Sequence, residues 1–151
     1  MYKALEKEGL VVMLNSGYRR YEHQDDLYDH RVQLAKTYPS VAVPGHSEHQ
    51  LGVAIDVSAK SQNYKATSKD FKYSKEYTWM LENAHLYGYV LSYPEGKEEI
   101  TGYTYEPWHW RYVGTEVAYS IYTSTLTPIE FLRSIVAVED YFTTSTSKSK
   151  S

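Results

Sequence analysis

Every β-prone run in this chain is short, and runs of helical period fall between them. Tyr2–Glu8 reads as the end of a helix stopped by Gly9, and Leu10–Leu14 as the first strand. Glu22–Tyr38 carries Tyr28, Val32 and Ala35 at i, i+4 and i+7, with Leu27, Leu34 and Tyr38 widening the stripe; Pro39 stops it. Val41–Pro44 is a short extended piece, Gly52–Val57 a strand, and Ser58–Tyr73 a long polar surface loop. Ser74 can cap a helix over Lys75–Leu86 that presents Tyr77, Met80, Leu81 and Ala84 on one face, with Gly88 as its stop. Tyr89–Tyr93 is a strand, Pro94–Lys97 a turn, Tyr103–Val113 an extended aromatic stretch and Thr115–Ser124 a short helix. Thr127, Pro128 and Glu130 open a further helix whose buried face is Ile129, Leu132 and Val136. Short strands alternating with helices predict the α+β class: a small central, mostly antiparallel sheet flanked by helices. One domain is expected over residues 1–142, with 143–151 (TTSTSKSKS) as a polar, disordered tail. So abrupt a start reads as a piece of a longer protein whose export signal or anchor lies outside this chain.

Charge and composition narrow the chemistry. Sixteen Lys+Arg against nineteen Asp+Glu leave a net charge of −3, which excludes a basic nucleic-acid binder. No apolar run reaches the ~20 residues of a membrane-spanning helix. Cysteine is absent, so there is no disulfide, no thiol nucleophile and no thiolate-held metal. A catalytic metal must be held by Asp, Glu or some of the six His. The 17 tyrosines suit a wet substrate groove and strand surfaces alike.

Three segments place reactive side chains where a fold has no need of them. In Ser47–Asp56 (SEHQLGVAID), His49 sits in a turn, and period-2 alternation puts Asp56 opposite Val53 and Ile55, facing a cleft if those two face the core. In Glu106–Tyr112 (EPWHWRY), His109 could supply a third ligand. Glu106, three residues earlier, shares its site only if Pro107 bends the chain. Two His and one carboxylate suit Zn²⁺ and leave a coordination position for water, and a glutamate outside that set is the usual general base. In Ser16–Arg20 (SGYRR), an arginine on the loop after the first strand can grip a carboxylate through its forked guanidinium. Arg19 and Arg20 cannot both point inward from adjacent extended positions, and Arg20 reads as solvated. His23, His30 and His85 lie on helical patterns and read as solvated too. His46 is a decoy three residues before His49. Trp108 and Trp110 are packing residues by type, with Trp108 placed at the groove.

Together, SGYRR, PGHSEHQLGVAID and YEPWHWRYVG resemble the zinc D-alanyl-D-alanine carboxypeptidases of the VanY type and the related L,D-carboxypeptidases. The pattern S-x-H-x-x-G-x-A-x-D is met by Ser47, His49, Gly52, Ala54 and Asp56, and E-x-W-H by Glu106, Trp108 and His109. The likeness spans about Asn15 to Gly114. It implies the small hedgehog/DD-peptidase-like zinc peptidase fold and one Zn²⁺ per chain, bound by His49, Asp56 and His109. It makes Glu106 the base that activates water. Arg19 becomes the group that polarises the scissile carbonyl or holds the terminal carboxylate, and Gln24 and Ser47 line the terminal-residue pocket. The implied substrate is a peptidoglycan stem peptide or precursor ending in D-alanine, cut with D,D or L,D specificity. The implied setting is the cell envelope outside the membrane, with a cytoplasmic place as the alternative, and the expected state is a monomer. Rival readings are a D-Ala-D-Ala dipeptidase, a peptidoglycan endopeptidase of the same fold, and an inactive wall-binding module.

Overall fold

The computed structural model describes residues 1–32 and 37–136. Helix α1 (Tyr2–Lys7) ends at Gly9, whose φ of +72° reverses the chain. Because the Leu10 amide still bonds back to the Leu5 carbonyl (3.0 Å), strand β1 (Val12–Ser16) starts two residues later than its apolar run suggests. Helix α2 (Tyr21–Val32) follows, and the expected continuation over 33–36 lies outside the described residues. Val41–Pro44 joins no strand. Its carbonyls bond elsewhere instead, Ala42 accepting from the Gln24 side chain on α2 and Val43 from the His46 amide in a local turn.

A 3₁₀ turn over Glu48–Leu51 closes at Gly52, where φ is +73°, so β2 (Ala54–Ala59) also begins two residues late and continues through Ser58 and Ala59. The expected surface loop after it holds two 3₁₀ turns, Lys60–Gln62 and Lys69–Tyr73, and Phe71 enters the core. Ser74 caps α3 (Lys75–Asn83) by accepting from the Tyr77 amide at 3.0 Å. The last turn of the expected helix is 3₁₀ (Ala84–Tyr87), and Leu81 faces solvent while Tyr77, Met80 and Ala84 are buried. Next come β3 (Tyr89–Leu91), the one-turn α4 (Glu98–Thr101), β4 (His109–Tyr112) and α5 (Thr115–Ser124). Of the extended aromatic stretch, only its end pairs as a strand. Residues 128–136 are helical, opened by Thr127 and Glu130 exchanging main-chain and side-chain bonds. Ile129 and Leu132 are half-buried there, but Val136 is exposed. The expected tail lies outside the described residues.

The four strands form one antiparallel sheet in the order β1-β2-β4-β3. One face carries Ile55, Val57, Ala59 and Trp110 and is covered by α1, α3 and the Phe71 turn; Leu5, Phe71, Tyr77 and Met80 complete the core. The Trp110 indole donates to the Pro107 carbonyl at 3.0 Å, so its buried N–H is satisfied. The opposite face carries Ala54, Asp56, Ser58, His109 and Arg111, as the two-residue alternation of a strand requires. His85, read as a solvated helix histidine, is in fact buried and stacked on Tyr122 with centroids 3.8 Å apart. Among the described residues, no helix is long and apolar enough to cross a membrane.

Candidate metal centre

The register of the sheet assembles the site. Asp56 on β2 pairs with His109 on β4 and with Ser16 on β1, so three side chains meet in one row across the polar face. A bulge between Leu14 and Ser16 sets the end of β1 and the loop after it. That loop docks on the Glu48–Leu51 turn, the Arg19 amide donating to the His49 carbonyl at 3.0 Å. His49 is thereby held over the end of β2.

His49, Asp56 and His109 each offer a donor atom within 4.8 Å of the others, and all three are buried. His49 Nε2 lies 3.2 Å from Asp56 Oδ2, and His109 Nδ1 lies 3.1 Å from Asp56 Oδ1. The imidazoles stand edge to face, 4.9 Å between centroids. Ligands about 2.1 Å from a tetrahedral ion are separated by roughly 3.4 Å, close to both imidazole–carboxylate separations here, so the donor set suits Zn²⁺. The remaining ring nitrogens are occupied, as metal-bound histidines require. His49 Nδ1 is 2.8 Å from the Gly17 carbonyl oxygen, and His109 Nε2 is 2.9 Å from Glu48 Oε2. Burial alone would raise the Asp56 carboxyl, but hydrogen bonds from His109 and His49 outweigh it and hold Asp56 well below the usual carboxylate range.

Glu106 reaches the same cavity because the chain turns at Pro107 and Trp108, the His109 amide bonding back to the Glu106 carbonyl at 3.1 Å. Its Oε2 lies 4.0 Å from His109 Nδ1, outside the ligand set, and its carboxylate accepts no hydrogen bond from the described residues. Burial pushes the Glu106 carboxyl up to about 8; His109 offsets this, Asp56 adds to it and Arg19 offsets it further.

Arg19 is gripped from behind. Its Nη1 donates to Gln24 Oε1 (2.8 Å) and its Nη2 to Ser16 Oγ (3.2 Å), with Asp56 Oδ2 3.7 Å from Nη2. The Nε–H is buried without a partner among the described residues, and each terminal nitrogen keeps one N–H outside those two hydrogen bonds, so the guanidinium retains donors for a carboxylate. Gln24, expected to line the pocket, has no exposed surface. It sits behind the wall, donating to the Ala42 carbonyl at 2.7 Å, and reaches the site only through Arg19. Ser47 and Trp108 do line the cavity of about 190 Å³, with Arg19, Glu106 and the three ligand candidates. Tyr93 and Tyr103 line it too, and no motif pointed to them. Burial and the nearby Glu48 and Glu106 raise the Tyr93 phenol, which stays protonated. Arg20 and His46 are exposed. The residue that sequence reasoning passed over is Glu48; the signal was its place between Ser47 and His49.

The family model described as VanY D-alanyl-D-alanine carboxypeptidase matches residues 1–115. The putative carboxypeptidase YodJ of Bacillus subtilis (strain 168) is 40% identical over 138 residues, 89% of this chain and 50% of that protein. The LdcB LD-carboxypeptidase, whose structure concerns peptidoglycan recognition, superposes with a TM-score of 0.81 at 40% identity, covering 88% of this chain and 63% of that one. A vancomycin-resistance D,D-pentapeptidase VanY in complex with Zn(II) superposes with a TM-score of 0.71 at 35% identity, covering 87% and 76%. The chain thus spans only part of the length of the curated relatives it matches, half of it in the Bacillus subtilis protein.

Proposed function

Because the chain belongs to the VanY D-alanyl-D-alanine carboxypeptidase family, we propose that it is a zinc-dependent carboxypeptidase removing the C-terminal D-alanine from peptidoglycan stem peptides. The observation that carries this reading is the meeting, in one cavity, of the His49–Asp56–His109 set with a buried glutamate outside it and a half-satisfied arginine fork. When bound, Zn²⁺ supplies a Lewis acid that polarises the scissile carbonyl and acidifies a neighbouring water. Arg19 holds the substrate's terminal carboxylate with its remaining N–H groups, which fixes which peptide bond reaches Glu106. Glu106 takes the proton of the attacking water on its carboxylate and returns it to the amine of the departing D-alanine. Ser47 and Trp108 wall the terminal-residue pocket, and Tyr103 lines the same cavity. Since one chain holds every group named, a monomer with one zinc suffices. Acting on mature stem peptides, it would work outside the membrane.

The test is mass spectrometry of pentapeptide and tetrapeptide stems incubated with the protein. Loss of D-alanine is expected, abolished by a chelator and restored by Zn²⁺. Loss from the pentapeptide assigns D,D specificity, and loss from the tetrapeptide assigns L,D. Glu106→Gln is expected to bind zinc as the wild type does and to lose about 10²–10⁴-fold in turnover. Turnover by that variant near the wild-type rate, or release insensitive to chelation, would overturn the reading.

A further inference from the structure

Glu48 is the single spacer residue between Ser47 and His49, yet it is one of the most thoroughly bound carboxylates among the described residues. Its Oε2 is 2.9 Å from His109 Nε2 and accepts from Ser92 Oγ at 2.7 Å, while its Oε1 accepts from Arg111 Nη1 at 2.9 Å. Arg111 lies two residues beyond His109 on the same face of β4, so the counter-charge comes from the strand that carries the ligand. Glu48 stands on the far side of the His109 ring from Asp56, with both its oxygens engaged, and is no metal ligand. His49 differs: its outer nitrogen meets a neutral backbone carbonyl, that of Gly17.

We infer that Glu48 is a positioning residue that dictates which nitrogen of His109 faces the cation. By accepting the Nε2 proton it leaves Nδ1 as the ligand atom, and Arg111 and Ser92 hold it at that task. The inference rests on the metal-centre reading above, but not on any substrate. A carboxylate acceptor makes His109 the more electron-rich of the two imidazoles, and a turned-over ring would set a carbon in place of Nε2 against the Glu48 carboxylate.

Zinc affinity, measured by competition with a chromophoric chelator, and long-range proton–nitrogen NMR of the zinc-loaded protein test this together. Glu48→Ala is expected to weaken zinc binding about 10–100-fold. Glu48→Gln keeps the shape and an acceptor but not the charge, and is expected to lose roughly 3–10-fold; it carries the measurement if the alanine variant does not fold. In loaded wild type the His109 proton is expected on Nε2. A proton found on Nδ1, or zinc affinity within about twofold of wild type in both variants, would overturn the inference while leaving the proposed activity standing. A wild type that binds no zinc would overturn both.

Discussion

His109 is an imidazole between two carboxylates, and its acid–base behaviour is dominated by them. Burial alone lowers its pKa, but the hydrogen bonds to Asp56 and Glu48 outweigh burial and leave it at about 9. The metal-free protein therefore gains stability from the His109 proton in full below the ordinary histidine pKa of about 6.5, and loses it as pH rises through 9. Glu106 acts in the same sense. Its carboxyl, raised by burial to about 8, keeps a proton that the unfolded chain has released near pH 4.5, so its burial costs more as pH climbs between those values. The denaturation midpoint of metal-free protein is accordingly expected to fall between pH 6.5 and 9. Zinc must displace the His109 proton, so zinc affinity is expected to rise across that window and then level. A flat affinity profile in a chelator titration would contradict the assignment of His109 as a ligand. Gln24 shows the limit of reading residues singly. An amide on a helical pattern gives no sign that it is the fully buried residue on which the guanidinium of Arg19 leans.

Among the elements, the helix and strand types read from periodicity are present, and their edges carry the errors. Both early strands start two residues late, because the glycine that ends the preceding turn spends the next residues reversing direction. Helix α2 carries an apolar stripe on paper, yet Gln24 is the buried residue of its first two turns and Leu27 only lines the cavity. The bend that brings Glu106 to His109 was readable from Pro107; the 3₁₀ turn that aims Glu48 at the same ring was not, since no local rule orients a side chain across 61 residues. The joint between α3 and β3 allows a direct test. Gly88 has φ of +82°, and a Cβ there would lie 2.6 Å from Tyr112 Cε2 and 3.1 Å from the Gly114 backbone. Gly88→Ala combines left-handed strain with a contact against main chain that cannot yield, and is expected to lose about 1–3 kcal/mol in urea denaturation. A change below about 0.5 kcal/mol would mean that the joint relaxes freely.

Across the whole molecule, the three ligand candidates come from a turn and two strands, with His49 and His109 lying 60 positions apart, so no metal site exists in the unfolded chain. Zinc is then a ligand of the folded state alone. At a free concentration about 1,000-fold above its dissociation constant it should add roughly 4 kcal/mol, seen as a higher melting temperature that a chelator removes. In His109→Ala that shift should vanish; a zinc-dependent shift of wild-type size in the variant would place the binding elsewhere. The sheet also couples two properties that are usually tuned separately. Trp110 and His109 are neighbours on β4 that point to opposite faces, and Ile55 and Asp56 repeat the arrangement on β2. A slip of a single position would drop the indole into the cavity and the imidazole into oil. Misalignment thus carries its own punishment: a β4 strand aligned well enough to bury Trp110 has already set His109 against Asp56.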